Sequence, residues 1–185
     1  MRELLQSCLW RWLPRTGLER CELLREGPDW ILKGTILTVA DEGPVEARYE
    51  VRCDPGWTTR SVDVSLIQGT GERSLRLGVR DGRWYEGETE HPSVRGCLDV
   101  DLGWSPSTNT LPIRRLMLEV GAGSGSLTMA WVRFPELTIE PLAQEYRRLS
   151  ERTYRYSSRG GSFNAEIEVD EQGLVAAYEG VWQRV

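Results

Sequence analysis

Apolar and polar residues alternate over much of the chain. In "RSVDVSLI", Val62, Val64 and Leu66 fall on one face of an extended segment, and the residues between them are polar. The same period-two pattern recurs in segments 75–79, 116–120 and 163–169. Because successive side chains of a strand point to opposite faces, the pattern predicts half-buried β-strands with one polar face.

Turn signals separate these alternating runs at the spacing of antiparallel hairpins. They read "DPG", "GTGE", "RDGR", "GAGSGS", "SRGGS" and "DEQG". Asp81-Gly82 in "RDGR" can supply the positive φ angles of a type I′ turn between Val79 and Trp84. The sequence therefore predicts a mainly β protein whose strands form a long antiparallel sheet.

Two segments carry helical signals. "SPSTNTLPIRRL" has candidate caps at Ser105, Ser107 and Thr108, and Pro112 is acceptable in a first helical turn. "PLAQEYRRLSER" has a helical spacing of apolar residues, but its β-rich flanks also favour an extended form. We predict that the first segment forms the one internal helix.

The order of these patterns suggests an internal repeat within one domain, residues 1–185. A Tyr-containing strand, an acid-bearing alternating strand and a glycine-turned aromatic strand follow each other over about 32–90 and again over about 127–185. Any two antiparallel meanders share some of this order. The duplication is a prediction from pattern, with little residue identity behind it.

Charge and composition exclude some classes of protein. The formal net charge of −5 leaves no basic excess to neutralise phosphates, which argues against nucleic acid or an anionic membrane as a partner. No stretch approaches the roughly 20 apolar residues of a membrane span. "MRELLQSCLWRWLP" is interrupted by Gln6, Ser7 and Arg11, so it does not resemble a secretory signal, and we expect a cytoplasmic location.

The cysteine and histidine content gives no sign of a metal or cofactor site. The four cysteines form no CxxC pair, and the chain has one histidine. Zinc sites of familiar spacing need such ligands. We interpret the cysteines as buried free thiols, and we predict neither a metal nor a cofactor.

"DVDLGWSPSTNTLPIRR" brings two acids, two arginines, a Trp and an Asn between Thr residues together in an otherwise strand-like chain. Asp99 and Asp101 are two residues apart, as in carboxylate pairs that divide acid and base roles. Arg114 and Arg115 follow closely, so a structural ion pair is the alternative interpretation. The sequence favours a polar network that holds the loop against the start of the helix.

A second group of candidates combines aromatic residues with arginine. "RCDPGWTTR" and "TYRYSSR" could stack on a sugar and hold an anionic head group, and Arg60 is the first residue to test. Its alternative role is a cross-strand salt bridge with Asp63 or Glu50. His91 lies in a proline-bounded loop and does not suggest a nucleophilic triad.

At "GCLDVDLGWSPSTNTLPIRRL" the chain resembles a bacterial glycolipid-binding family, formerly a domain of unknown function. The resemblance extends over "GLER", "LKGTILTV", "RYEVRCDPGWTTRSVDV", "YRYSS" and "GLVAAYEGVWQRV", and "TNTLPIRRL" is its most specific part. Ser107 stands where we expect an apolar residue. The resemblance implies a spiral β-roll around a single helix, often paired into a homodimer.

Such a roll encloses a hollow lined by alternate side chains, where a lipid tail would gain about 0.8 kcal/mol for each buried CH₂ group. We therefore predict non-catalytic binding of a glycolipid or another amphipathic small molecule. Two alternatives stay open: a carbohydrate-active enzyme that uses Asp99 and Asp101, and a dimeric scaffold without a ligand. Trp131 could also line the hollow, and the candidate ligand-binding residues are Arg60, Trp57, Trp84, Asp99, Asp101, Trp104, Asn109, Arg114, Arg115 and Tyr156.

Overall fold

Fifteen strands and one short α-helix make up the computed structural model, which describes all residues from Met1 to Val185. The strands are β1 (Arg2–Trp12), β2 (Gly17–Glu26), β3 (Asp29–Ala40), β4 (Gly43–Cys53), β5 (Thr59–Gln68), β6 (Gly71–Arg80), β7 (Arg83–Glu86), β8 (Thr89–Glu90), β9 (Val100–Leu102), β10 (Leu127–Arg133), β11 (Thr138–Arg148), β12 (Thr153–Ser158), β13 (Phe163–Val169), β14 (Val175–Tyr178) and β15 (Trp182–Arg184). The helix α1 spans Thr110–Leu116. Short 3₁₀ helices span Pro92–Val94, Ser107–Asn109 and Arg159–Gly161.

All the strands belong to one sheet, in the order β8-β7-β6-β5-β4-β3-β2-β1-β15-β14-β13-β12-β11-β10-β9. Every neighbouring pair is antiparallel except β9 and β10, which run parallel. The sheet curls without closing into a barrel, and its edges are the short strands β8 and β9. The predicted fold class, a long curled sheet with one short helix, is confirmed.

The alternating pattern explains why the strands present one apolar face. In β5, Val62, Val64 and Leu66 are buried while Asp63 is exposed. The predicted type I′ turn is also present, because Asp81 and Gly82 have φ angles of 51° and 70°. The inward faces together form a hydrophobic core of 40 buried residues.

The alternating residues at 116–120 do not form a strand, so that prediction is wrong. Leu116 is the last residue of α1, and Met117 takes a left-handed conformation with φ 44° that ends the helix. Val120 is 60% exposed, so the alternation there does not reflect a buried face. The helix prediction is confirmed, and "PLAQEYRR" lies in strand β11, the extended form that its β-rich flanks favour.

The segment before and through α1 lies inside the curl and contacts strands from both halves of the sheet. The Ser105 hydroxyl donates to Glu19 on β2 at 2.7 Å, and the Thr110 hydroxyl donates to the Gly173 carbonyl at 2.9 Å. The Thr59 amide at the start of β5 donates to the Leu98 carbonyl at 2.9 Å. This segment therefore fills the space that the curled sheet encloses.

All four cysteines are buried free thiols, as predicted. Burial raises the pKa of the Cys97 thiol to about 11, which keeps it protonated at neutral pH. The single helix falls far short of the length needed to cross a bilayer.

Candidate functional site

A cavity of about 250 Å³ opens between the segment before α1 and the strands β10 to β15. We call it the aromatic cavity, because aromatic rings make up much of its wall. Its polar lining includes Asp101, Ser105, Asn109, Ser158 and Arg159. The remaining lining residues are Gly103, Trp131, Leu142, Tyr156, Phe163, Tyr178, Val181 and Trp182.

Three rings from neighbouring strands form one wall. The Tyr156 ring lies edge-on to Phe163 and Tyr178 at centroid distances of 6.0 and 5.8 Å. Phe163 and Tyr178 are in turn 6.2 Å apart. Edge-to-face contacts of this kind stabilise aromatic clusters beyond the burial of their area. The wall is therefore held in place before any ligand binds.

Trp131 on β10 also lines the cavity, next to the strand that carries the Asp101 carboxylate. It is paired with Asp101 across β10 and β9. A β-carbon at Gly103 would lie 2.7 Å from the Trp131 indole nitrogen, so only glycine allows the ring to occupy this position. The guanidinium groups of Arg133 and Arg159 lie 5.3 and 5.5 Å from the ring.

Asp101 is held at one oxygen and free at the other. The Gln144 amide donates a hydrogen bond to its Oδ2, and Oδ1 has no partner within the protein. The Tyr146 hydroxyl shares its one proton between Asn109 Oδ1 at 2.8 Å and Gln144 Oε1 at 3.3 Å, and this contact orients Gln144. Burial raises the pKa of Asp101 to about 6, against the lowering effects of Gln144 and the positive charge of Arg159.

Asp99 has a different environment. The guanidinium of Arg115 donates to both carboxylate oxygens, at 3.1 and 2.5 Å. Asp99 is only 1% exposed, and burial raises its pKa, against the lowering effect of Arg115. The sequence-based expectation of an acid–arginine pair holds for this residue. Asp101, in contrast, is bound by an amide.

A buried acid on β2 is hydrogen-bonded to Ser105, one of the residues that line the cavity. Glu19 is fully buried, and its Oε1 accepts hydrogen bonds from Tyr49 at 2.6 Å and from Ser105 at 2.7 Å. Ser105 is also hydrogen-bonded to Ser107, 2.7 Å away, which explains a polar residue at that position. Glu19 Oε2 has no partner, and burial raises the pKa of Glu19 to about 8. The side chain is therefore mainly protonated at neutral pH.

The structure brings three of the predicted ligand-binding residues to the aromatic cavity: Asp101, Asn109 and Tyr156. Trp131, which the sequence also suggested, lies there with them. Asp99 and Arg115 lie outside, bound to each other.

The other predicted residues lie elsewhere. Arg60 is exposed and bound to Asp54 at 2.7 Å, not to Asp63 or Glu50. Trp84 is fully buried and donates from its ring nitrogen to the Cys97 carbonyl. Trp57, stacked on Trp30 at 4.6 Å, lies near Arg114, whereas Trp104 stacks on Phe134 at 5.1 Å.

Sequence reasoning missed the buried acid and most of the aromatic wall. Glu19 stands at an inward position two residues before Cys21 and four before Leu23, and a carboxylate in such a row is a detectable signal. Phe163 belongs to an alternating run, but nothing in the spacing of Phe163, Tyr178 and Trp182 indicates that they share a cavity. No three His, Cys, Asp or Glu side chains lie close enough together to hold a metal ion.

Comparison with known proteins agrees with this architecture. The sequence profile of a family described as "Putative glycolipid-binding" matches residues 7–184. None of the curated proteins matches the chain significantly. The fold is similar to the crystal structure of a DUF1089 family protein from Pseudomonas aeruginosa, with a TM-score of 0.83 and 34% identity over 91% of this chain and 92% of that chain. Since the profile matches nearly the whole sequence, this chain belongs to the glycolipid-binding family, formerly a domain of unknown function.

Proposed function

We propose that this protein binds the sugar-containing end of an amphipathic molecule, such as a glycolipid, in the aromatic cavity and does not transform it. The observation that carries the proposal is a half-buried carboxylate, Asp101, set among aromatic rings. Aromatic faces pack against the apolar faces of sugar rings, and carboxylate and amide oxygens accept bonds from sugar hydroxyls. The family to which the chain belongs is described in the same terms.

The size of the cavity limits what it can hold. Its volume of about 250 Å³ lies below the roughly 300 to 1,000 Å³ of pockets that enclose drug-sized ligands. We infer that it takes a single sugar ring and that the rest of the ligand lies outside. Arg159, exposed at the 3₁₀ turn beside the cavity, is placed to contact an anionic group on that outer part.

The carboxylates support binding better than hydrolysis. Glycosidases generally use two carboxyl groups on either side of the bond that is cleaved. Asp101 is the only acid that lines the aromatic cavity, and both oxygens of Asp99 accept hydrogen bonds from Arg115 Nε and Nη2. A second acid or base for the reaction is therefore missing from the cavity wall.

One observation favours an enzyme as the second candidate function. The pKa of Asp101, raised to about 6 by burial, suits a general acid near neutral pH. Assays with aryl glycosides of several sugars would test it, with Asp101→Asn as the inactive control. Turnover by the wild type that is abolished in Asp101→Asn would contradict the non-catalytic proposal.

Binding itself is tested by native mass spectrometry followed by titration. We expect the purified protein to carry a lipid-sized adduct that contains sugar, and the adduct to be lost in Asp101→Asn. Re-addition of the extracted lipid should change the fluorescence of Trp131 and Trp182, which line the cavity. Removing one hydrogen bond to a charged group should weaken affinity about tenfold or more.

Arg60→Gln is the matched control, because Arg60 is exposed and lies outside the aromatic cavity. It should retain the adduct and the wild-type affinity. A clean mass for the protein, with no response to any glycolipid, would favour the scaffold without a ligand. The same spectra report whether the protein forms the homodimer that the family resemblance implies.

The four free thiols also bear on location. Cysteines persist as thiols in reducing compartments. We therefore propose that the protein works in the cytoplasm.

A further inference from the structure

A second cavity, of about 340 Å³, lies at the other end of β12 and β13 from the aromatic cavity. Tyr156 and Phe163 line the aromatic cavity, whereas Tyr154 and Val169 on the same two strands line this one. We call it the arginine cavity, after three of its lining residues: Arg114, Arg148 and Arg152. It lies beside the C-terminal end of α1, where Met117 is exposed.

Arg114 has a guanidinium group without an acidic partner. Its Nε is shielded from solvent and makes no hydrogen bond, an arrangement that is rare for a buried donor. The group lies 5.6 Å from the Trp57 ring, and its stem crosses Gly173, where a β-carbon would lie 2.8 Å from Arg114 Cδ. Gly173 also has a φ of 82°, so the local backbone favours glycine and leaves room for this arginine.

Arg148 is fixed in place by neutral acceptors. Its guanidinium donates to the carbonyls of Leu118 at 2.8 Å, Ser150 at 3.1 Å and Glu151 at 2.6 Å. It lies 5.7 Å from the Tyr154 ring. Because carbonyls carry no net charge, these bonds orient the cation without neutralising it. The positive charges of Arg148 and Arg114 both act on Tyr154, where they oppose the rise in pKa that burial causes.

Most of the acids around the arginine cavity are already paired. Glu171 accepts from Arg152 at 2.9 Å. Asp170 is bound by Arg184 and Gln6, both at 2.7 Å, and by two backbone amides. Among the acids that line the cavity, only Glu151 has no ionic partner. Two lining arginines, Arg114 and Arg148, also have none, so the unpaired positive charges outnumber the unpaired negative one. The cavity therefore keeps a positive charge although the whole chain is acidic.

We propose that the arginine cavity is a second ligand site, which binds a phosphoryl group through Arg114 and Arg148. Guanidinium groups donate pairs of hydrogen bonds to phosphate oxygens, and the Tyr154 hydroxyl, which has no partner in the protein, adds another donor. The site is separate from the aromatic cavity and does not depend on the function proposed for it.

Isothermal titration with inorganic phosphate and with glycerol phosphate tests this site. We expect both to bind, and Arg114→Gln and Arg148→Gln each to weaken binding about tenfold. Glu151→Gln should instead strengthen binding, because it removes the unpaired negative charge. Since Arg148 also supports the backbone, Arg114→Gln and Glu151→Gln decide the result if Arg148→Gln does not fold.

Arg155→Gln is the matched control, because Arg155 follows Tyr154 on β12 but is exposed and pairs with Glu166. It should bind phosphate as the wild type does, and so should Asp101→Asn. No measurable phosphate binding at low salt would overturn the proposal. An equal loss in Arg155→Gln and Arg114→Gln would also overturn it, since that outcome indicates non-specific attraction.

Sedimentation with phosphatidylcholine vesicles, with and without phosphatidic acid, identifies the source of the phosphoryl group. Binding that requires phosphatidic acid and is lost in Arg114→Gln supports the site with a lipid head group as ligand. Binding of glycerol phosphate without vesicle binding supports it with a soluble phosphate ester. If the protein binds neither phosphatidic acid vesicles nor glycerol phosphate, the proposal of a phosphoryl site is overturned.

Discussion

Replacing Glu19 by glutamine should remove most of the pH dependence of stability between about pH 5 and pH 8. Burial raises the pKa of Glu19 from 4.5 to about 8 in the folded protein. The folded state therefore binds this proton more tightly than the unfolded chain does. The resulting stabilisation is complete below the unfolded pKa and is lost as the pH rises through about 8.

The magnitude follows from the size of the shift. One pKa unit corresponds to about 1.4 kcal/mol, so the free energy of unfolding should fall by about 5 kcal/mol over the whole window and by about 3 kcal/mol by pH 7. Glutamine keeps an oxygen that can accept from Tyr49 and Ser105 but carries no titrating proton. We expect the free energy of unfolding of Glu19→Gln to equal that of the wild type near pH 5 and to exceed it at neutral pH.

Urea unfolding followed by tryptophan fluorescence, at several pH values across the window, measures this difference. Glu168→Gln on β13 is the control, because that acid is exposed and has no ionic partner. Its curve should follow that of the wild type. If Glu19→Gln loses stability with rising pH as steeply as the wild type, the reasoning about its buried carboxyl is wrong.

Three further outcomes test other parts of the structure. Arg115→Ala should lower the free energy of unfolding, measured in urea, by about 3 to 5 kcal/mol, because it leaves the buried Asp99 carboxylate without its partner. A loss below about 1 kcal/mol would contradict a structural role for this ion pair. Gly34→Ala should destabilise the protein by about 1 to 3 kcal/mol, since a β-carbon there would lie 2.5 Å from the Tyr49 ring; unchanged stability would show that the ring can move. Sugar-ligand affinity should fall as the pH drops through the Asp101 pKa of about 6, and titrations of Asp101→Asn should show no such dependence.

The fold was largely predictable, because alternation and turn chemistry are local properties. Asp81-Gly82 determines its own turn geometry, and the apolar residues of β5 specify which face is buried. The alternating pattern predicted a strand wrongly only at 116–120, where the left-handed conformation of Met117 ends α1 and an irregular loop follows. The internal duplication stays a prediction, although residues 32–90 and 127–185 both contribute consecutive antiparallel strands.

The candidate site was predictable only in part, because it depends on contacts between distant segments. Asp101 and Asn109 were identified because "DVDLGWSPSTNTLPIRR" is unusual, and Tyr156 because "TYRYSSR" combines aromatic residues with arginine. Trp182, in contrast, lies on β15, more than 70 residues after Asn109. The Arg115 partner of Asp99 follows from proximity in sequence, whereas the Gln144 partner of Asp101 requires the sheet to place β11 near β9. Curvature decides which inward residues meet, and periodicity contains no information about curvature.

The pairing of β1 with β15 has a consequence for the order of folding. Only three residue pairs join these strands, Trp10 with Arg184, Arg11 with Gln183 and Trp12 with Trp182. Most of the other strand pairs are hairpins between consecutive strands, which form early because the loops they close are short. We expect two meanders to assemble independently and this narrow seam to form last. The slowest step of folding would then be the docking of two preformed half-sheets around α1.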